Sequence, residues 1–367
     1  MPSPWSSTSG IIDFNNTFEQ AWRGEKGSLM AQLLEEDEAQ YAALSPQHAG
    51  VMRALLRVLD GTDDVESQLQ WGMPDATLVT AFGDPSDTEW LDDSGIVVSC
   101  LCPTTPDRRW CHEHILRCFK RQTYKRKELV VLETGGEPST FWRDEARRNL
   151  CVRYEHRPDD MVLGTKRQRL VDLAKGDALC HFDDDDVYGD SYVARALAAL
   201  CGDGGEGAVT EARLATLSRW HSYDAATGGV TLYDGLEDGG DVVAVVREAA
   251  GGDTKTLLQD YTRLTVEWQC RVFGYGFSYV YTRAFAQLAP FADADAQEDL
   301  RFVLDATAAA GEKNATVILY DASDVLHVAH GGNASRDEVT RTLDDDEHKP
   351  LAALVAAAAE LRVPAKT

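Results

Sequence analysis

The sequence predicts an α/β fold in which a mostly parallel central sheet is flanked by helices. From Gly95 onward, apolar runs of strand length alternate with segments of helical periodicity, which is the pattern of strand–helix–strand units. The apolar runs are nearly continuous, as expected for parallel strands that are buried on both faces. Turn residues and helix-capping residues separate them. These observations together favour a doubly wound sheet.

Composition and charge exclude several classes of function. The 367 residues are 44% hydrophobic and 26% charged, as in a soluble globular protein. A formal net charge of −25 argues against non-specific electrostatic binding to nucleic acid or to anionic membranes. No apolar run approaches the roughly 20 residues that span a bilayer, and the N-terminus lacks the features of a secretory signal. The eight cysteines form no Cys-x-x-Cys pair, so we expect no zinc site and a reducing, cytoplasmic location.

The chain divides into three parts. Residues 1–90 carry amphipathic patterns and predict an N-terminal helical extension. Residues 95–335 carry the strand–helix alternation and predict the main domain. Residues 336–367 end in an Ala-rich helix, Leu351–Leu361.

Within the main domain, four apolar runs come first and less regular segments follow. The first four predicted strands are Ile96–Cys102, Glu128–Leu132, Leu150–Tyr154 and Ala178–Phe182. Gly202–Gly252 is rich in Gly and Asp and predicts irregular hairpins, with strand pieces at Val230–Tyr233 and Val242–Val246. Later elements are predicted as strands at Phe277–Tyr281, Thr316–Tyr320 and Val325–Val328 and as a helix at Gln297–Ala309.

Four consecutive aspartates, Asp183–Asp186, follow the fourth predicted strand. Open α/β sheets bind ligands at the carboxyl ends of their strands, and the basic residues Lys166 and Arg167 lie on the preceding helix. Crowded carboxylates repel one another unless a cation neutralises them. Magnesium or manganese, which combines one or two carboxylates with ligand phosphates, fits this run better than an EF-hand, whose alternating ligands are absent. The pattern predicts a phosphate-bearing ligand with a divalent cation.

Six motifs, taken in order, resemble those of family-two glycosyltransferases with the GT-A fold. They read IVVSCLCPTTPDR, QTYKRKELVVLETGG, GTKRQRLVDLAKGD, HFDDDDVY, GYGFSYVYTRAF and AQEDLRFVL. The resemblance covers roughly Gly95 to Ser335 and implies a Rossmann-like GT-A domain. It also implies a nucleotide-diphosphate sugar donor, more specifically a UDP-sugar, and a glycan, lipid or protein acceptor.

The resemblance assigns roles to individual residues. Asp299 is expected to be the general base of a single displacement with inversion, and Glu298 to orient the acceptor. Asp185 and Asp183 match the two acids of Asp-x-Asp, and His330 is expected to complete the shell of a Mn²⁺ or Mg²⁺ ion. Because four aspartates are adjacent, Asp184 and Asp186 are alternative ligands. The expected donor-binding residues are Pro103, Thr104, Arg108, Glu133, Lys166, Arg167, Asp183 and Asp184.

Other interpretations remain open at this point. A catalytically inactive nucleotide-sugar-binding module would keep the pocket, and Glu133 and Gln168 depart from the family's Asp and Asn. A nucleotidyltransferase would carry a Gly-rich loop with Lys or Arg after the first strand, where this chain reads PTTPDR. An acidic calcium-binding protein would bind metal without nucleotide. Glu298 and Asp299 also suit a helix N-terminus, where the macrodipole favours acids, and His330 beside Gly-Gly suits a turn.

Overall fold

The computed structural model describes residues 76–79, 94–234, 273–310, 315–330, 341–343, 349–361 and 363. Most of the predicted N-terminal extension and the predicted strand Val242–Val246 lie outside the described residues. The strands are β1 (Ala76–Val79), β2 (Val98–Thr104), β3 (Lys127–Thr134), β4 (Val152–Arg157), β5 (Ala178–His181), β6 (Val187–Tyr188), β7 (Ala212–Asp224), β8 (Val230–Asp234), β9 (Val280–Thr282), β10 (Ala315–Ala329) and β11 (Arg341–Thr342). The α-helices are α1 (His112–Arg121), α2 (Thr140–Arg148), α3 (Leu163–Leu173), α4 (Tyr192–Cys201), α5 (Arg283–Ala286), α6 (Glu298–Ala310) and α7 (Ala352–Ala359). Short 3-10 helices span Pro106–Cys111, Gly202–Thr210, Gly276–Ser278 and Lys349–Leu351.

The strands form one mixed sheet with the order β1-β10-β7-β9-β5-β2-β3-β4. One half is entirely parallel, because β2 pairs with β3 and β5, and β3 pairs with β4, all in parallel. In the other half, β9 runs antiparallel to both β5 and β7, whereas β10 runs parallel to β7. This arrangement of sheet and helices confirms the predicted α/β, Rossmann-like class.

The strand order reverses at β2. After β2 the chain adds β3 and then β4 on one side, and it returns to place β5 on the other side. In open α/β sheets, ligands bind in the crevice outside the carboxyl ends of the strands at such a switch point. The crevice therefore opens between the ends of β2 and β5, next to the predicted aspartates. Because β9 is antiparallel, its beginning lies at the same edge.

The apolar runs form the core on both faces of the parallel strands. Val98, Cys100 and Cys102 on one face of β2 have no exposed surface, and Leu101 on the other face is only 1% exposed. Continuous hydrophobic strands gain this burial from helices on both sides. Within the described ranges, no helix combines the length and the apolar character needed to cross a bilayer.

Four segments differ from the sequence predictions. Ala212–Asp224, in the region predicted as irregular hairpins, is one long central strand. The predicted strands at 316–320 and 325–328 are a single strand, β10, whose register shifts around Asp321. Gly276–Ser278 forms a 3-10 turn, so the predicted strand there begins only at Val280. Ala76–Val79, at the end of the predicted helical extension, is a strand because it pairs in parallel with β10.

Candidate active site

A cavity of about 470 Å³ lies at the switch point of the sheet. Its walls come from the ends of β2 and β5, the first turns of α3, the turn before β9 and the beginning of α6. The lining residues are Pro103, Thr104, Thr105, Arg108, Leu163, Lys166, Arg167, Asp183, Asp184, Asp185, Gly274, Tyr275, Gly276, Phe277, Asp295, Ala296, Gln297, Glu298, Asp299 and His327. Segments far apart in the sequence therefore meet at one edge of the sheet.

The aspartates after β5 have separate partners. Asp184 accepts a 2.5 Å hydrogen bond from the hydroxyl of Thr104 and a 3.0 Å bond from Nη1 of Arg108. Asp185 also accepts a hydrogen bond from Arg108, and its Oδ2 lies 2.9 Å from Nε2 of His330. One arginine thus ties two aspartates to the turn that follows β2.

Asp186 faces the opposite side of the run, where β10 ends. Its Oδ1 accepts a 3.1 Å hydrogen bond from the backbone N–H of Val328 and lies 2.8 Å from Nδ1 of His327. The ring of His327 stacks on Phe277 at 5.2 Å, so β10 and the turn before β9 are joined behind the aspartates. Asp186 is therefore a structural anchor for the loop that carries Asp184 and Asp185.

Burial and the repulsion between neighbouring carboxylates shift the pKa values of Asp184, Asp185 and Asp186. Burial raises the pKa of Asp184 to about 7, against the attraction of Arg108 and with a further increase from Asp185. Burial would also raise the pKa of Asp185, but Arg108 and the hydrogen bond from His330 outweigh it and hold that pKa below its ordinary range. Burial raises the pKa of Asp186 to about 6. The four aspartates together carry more negative charge than the neighbouring arginines, Arg108 and Arg167, neutralise.

The two acids at the beginning of α6 lie across the cavity. Glu298 accepts a 3.1 Å hydrogen bond from Nε of Arg167. Asp299 accepts backbone N–H groups on both oxygens, from Gly276 and from Leu300, each at 2.7 Å. Burial raises the pKa of Glu298 to about 7, with Asp299 adding to the increase and Arg167 opposing it. Burial also raises the pKa of Asp299, so both carboxyl groups hold a proton more readily than an exposed carboxyl group does.

Two basic residues of α3 enter the cavity in different ways. Arg167 is buried, and its Nη atoms donate to the carboxylate of Asp183 at 3.2 and 3.3 Å. Lys166 places its Nζ 3.9 Å from the exposed carboxylate of Asp160, and burial lowers its pKa. Arg167 is thus held by the protein, whereas Lys166 presents its charge to the cavity beside a solvent-exposed partner.

Asp185 and His330 are suited to holding a divalent cation. A carboxylate oxygen and an imidazole nitrogen are both ligands for Mn²⁺, and the excess negative charge of the run favours a cation there. Within the described part of the chain, no three His, Cys, Asp or Glu side chains are grouped as a metal site. The protein would therefore supply two ligands and a bound phosphate the others, a common arrangement for Mg²⁺. Asp183, the third predicted ligand, pairs with Arg167 instead.

One predicted donor residue lies away from the cavity. The carboxylate of Glu133 is fully buried at the end of β3 and accepts hydrogen bonds from the Ser139 N–H at 2.7 Å and the Tyr154 hydroxyl at 2.5 Å. Arg109 approaches the same carboxylate at 3.4 Å. The other predicted donor residues line the cavity. The predicted metal ligand His330 is not a lining residue, but its Nε2 contacts the lining residue Asp185.

Gly276, Gln297 and His327 are among the lining residues that were not predicted individually. Gly276 supplies the N–H that holds Asp299, and its place in the GYGF motif was the available signal. Gln297 adopts the left-handed conformation, with φ of 59°, immediately before Glu298. His327 contacts Asp186 from β10. Gln297 lies in the AQEDLRFVL motif, whereas His327 has no local sequence pattern that could have identified it.

No protein-family model matches the chain, and none of the curated proteins matches it. Among solved structures, S. aureus TarS 1-349 in complex with UDP-GlcNAc is 13% identical, with a TM-score of 0.43, and the match covers 73% of this chain and 68% of that chain. Glucosyl-3-phosphoglycerate synthase from Mycobacterium tuberculosis, in complex with Mn²⁺, UDP and phosphoglyceric acid, is 17% identical, with a TM-score of 0.40, over 80% of this chain and 88% of that chain. The match to a longer S. aureus TarS chain covers 64% of this chain and 37% of that chain, at 14% identity and a TM-score of 0.42.

Proposed function

We propose that this chain is a glycosyltransferase that moves a sugar from a UDP-sugar to an acceptor hydroxyl, with inversion and with Mn²⁺ or Mg²⁺. The observation that carries the proposal is the convergence of two acidic groups on one cavity. Asp183–Asp185 and Glu298–Asp299, from segments more than a hundred residues apart, line it together with Pro103 and Thr104 at the end of β2. Acids on one side suit a diphosphate with its cation, and acids on the other suit a proton acceptor.

The donor side follows from the ends of β2 and β5. Pro103 and Thr104 form the wall on which a nucleotide would lie, and Arg108 orients Asp184 and Asp185 below it. Asp185 and His330 would hold the divalent cation, which when bound stabilises negative charge on the diphosphate. Lys166 would add a positive charge beside the same leaving group.

The acceptor side follows from the beginning of α6. Asp299 would take the proton of the acceptor hydroxyl as that oxygen bonds to the anomeric carbon and the diphosphate leaves with the electron pair. Each oxygen of Asp299 accepts one backbone N–H, and a carboxylate oxygen has a second lone pair that can accept the hydroxyl proton. Glu298, fixed by Arg167, would orient the acceptor. Attack from the face opposite the leaving group inverts the configuration.

The rival interpretations are less well supported by the structure. After β2 the chain forms the 3-10 helix Pro106–Cys111, without the Gly-rich loop of a nucleotidyltransferase. Gln168 differs from the Asn of the family pattern, and this difference left open the interpretation as an inactive module. In the structure its side chain donates to Asp172 and accepts from the Phe291 N–H, outside the cavity. Its substitution for Asn therefore leaves the lining of the cavity unchanged.

Ligand-induced stabilisation tests the donor class. UDP-, GDP- and CDP-sugars are screened by thermal shift with and without Mn²⁺, because a ligand that binds the native state raises its melting temperature. We expect UDP-sugars to stabilise the protein only when the metal is present. Stabilisation by metal alone, with no nucleotide effect, would instead support a cation-binding protein.

Turnover tests the reaction itself. A panel of hydroxyl acceptors is incubated with the stabilising donor, and the anomeric configuration of the product is read by NMR. Inverted product supports the single displacement, whereas retained configuration contradicts the base role of Asp299. Binding of the donor without turnover for any acceptor in the panel would support the inactive module.

A further inference from the structure

Arg167 lies at the centre of the charged groups of the cavity. Its side chain is almost completely buried. Nε donates to Glu298 at 3.1 Å, and the two Nη atoms donate to the carboxylate oxygens of Asp183 at 3.2 and 3.3 Å. Asp183 follows β5 on the donor side, whereas Glu298 begins α6 on the acceptor side. One guanidinium thus joins the two walls of the cavity.

A second set of contacts connects Arg167 to Asp299, the acid next to Glu298. Nδ1 of the buried His181 lies 2.9 Å from Nη1 of Arg167 and 2.5 Å from the carbonyl oxygen of Gly276. The N–H of Gly276 in turn donates to Asp299 at 2.7 Å. Because Nδ1 has a single hydrogen, it donates to the Gly276 carbonyl and accepts nothing from Arg167, which packs against the ring. The guanidinium therefore holds Glu298 through a hydrogen bond, and it constrains Asp299 through the beginning of α6 that the two acids share and through its contact with His181. A shift of Arg167 would displace both acids together.

We propose that Arg167 is a positioning residue that fixes Glu298 and Asp299 relative to Asp183, and that it is not a ligand of the donor. This inference rests on the proposed function and reassigns a residue that the sequence pattern placed in the donor-binding set. The donor-facing cation of α3 is then Lys166, whose charged end lies in the cavity beside an exposed aspartate.

The geometry requires an arginine. The two carboxylates lie at different edges of the guanidinium, so the residue must donate in diverging directions from one planar group. Arginine offers five donors in a fixed fork, whereas the ammonium of lysine is a point charge. Lysine at this position would keep the charge but would hold only one of the two acids in place.

The kinetic test is Arg167→Lys in the full chain, assayed with a UDP-sugar and Mn²⁺. We expect kcat to fall by about tenfold to a hundredfold, since a misplacement near 1 Å has that effect. The KM for the donor should change by less than about threefold, because the lost contact does not touch the donor. Arg169→Lys is the matched control: Arg169 lies on the same helix, forms a bidentate pair with Glu155 at 2.9 and 3.0 Å outside the cavity, and should leave kcat unchanged. A raised donor KM with unchanged kcat in Arg167→Lys would overturn the proposal.

A second test leaves Arg167 in place. Asp183→Asn and Glu298→Gln each remove one of its partners, and residues that act through a shared group have non-additive effects. We expect the double variant to deviate from additivity in the free energy of unfolding, which does not depend on turnover. If the wild-type protein transfers no sugar from any donor, the proposed function fails while this cycle still reports on Arg167. Additive effects of the two substitutions would overturn the positioning role.

Discussion

Replacing Gly276 by alanine is expected to displace Asp299 and to lower turnover while the protein stays folded. A Cβ at this position would lie 2.8 Å from Cβ of Asp299 and 3.0 Å from its Oδ2. The first distance is at least 0.6 Å short of the 3.4 Å at which ordinary contact begins. The backbone of Gly276 is not in the left-handed region, so alanine meets no conformational penalty and the whole effect comes from this contact.

The magnitude follows from how the contact can be relieved. Either the turn or the carboxylate must move by more than half an ångström, which weakens the 2.7 Å hydrogen bond between them. Overpacking of this kind costs about 1–3 kcal/mol of unfolding free energy. Displacement of a base by a comparable distance lowers kcat by roughly tenfold to a hundredfold. We therefore expect a folded protein with a large loss of activity.

Urea unfolding and steady-state kinetics on the same preparation check both parts. Gly207→Ala is the control, because a Cβ at Gly207 meets nothing within 4 Å, and it should retain both stability and kcat. If Gly276→Ala loses the expected stability but keeps the wild-type kcat, then Gly276 does not place the base, and the role assigned to Asp299 is refuted with it.

Three further predictions test the separate groups of the site. Asp185→Asn should weaken UDP binding in Mn²⁺ by at least roughly tenfold in a calorimetric titration, whereas Asp190→Asn, which changes an exposed pair with Arg121, should not. Asp299→Asn should lower kcat by about a hundredfold or more in the transfer assay and leave the affinity for the donor unchanged. Because the pKa of Glu298 is raised from 4.5 to about 7, the folded protein keeps a proton that the unfolded chain releases, so its contribution to stability is present below pH 4.5 and is lost as pH rises through 7. Glu298→Gln should remove this loss and be more stable than wild type at pH 8, by at most about 3 kcal/mol in urea unfolding, with no such difference at pH 4.5.

The parallel half of the sheet was predictable because its signals are local. β2, β3 and β5 are apolar runs, and burial on both faces leaves little room for other residue types. β7 was missed because its buried Thr216 and Ser218 resemble loop residues. In the structure, the hydroxyl of Thr216 lies 3.1 Å from that of Ser278, and the Leu217 N–H donates to the same serine, so these polar groups are satisfied by a distant turn. A pattern within one strand cannot report such a partner.

The candidate site could be predicted from the sequence where its acidic residues are consecutive. The aspartate run after β5 and the Glu298–Asp299 pair both have local patterns, and their common cavity follows from the sheet topology. The contacts of Arg167 and His327 could not be predicted, because their partners lie far away along the chain: Arg167 pairs with Glu298, 131 residues on, and His327 contacts Asp186 of a distant loop. A pattern within one helix shows that Arg167 is basic but not whether it faces a ligand or a second acid.

The balance of charge around the cavity explains why a cation belongs to the proposed reaction. Among the lining residues that the structure describes, six side chains are acidic and three are basic. Unit charges about 4 Å apart interact by roughly 4 kcal/mol near a protein surface, so a nucleotide diphosphate entering alone would meet net repulsion. Arg108 and Arg167 cannot offset this repulsion, since both already pair with the lining acids. A divalent cation at Asp185 would neutralise that wall and the diphosphate together, which is why metal and nucleotide should bind as one unit and neither should bind tightly alone.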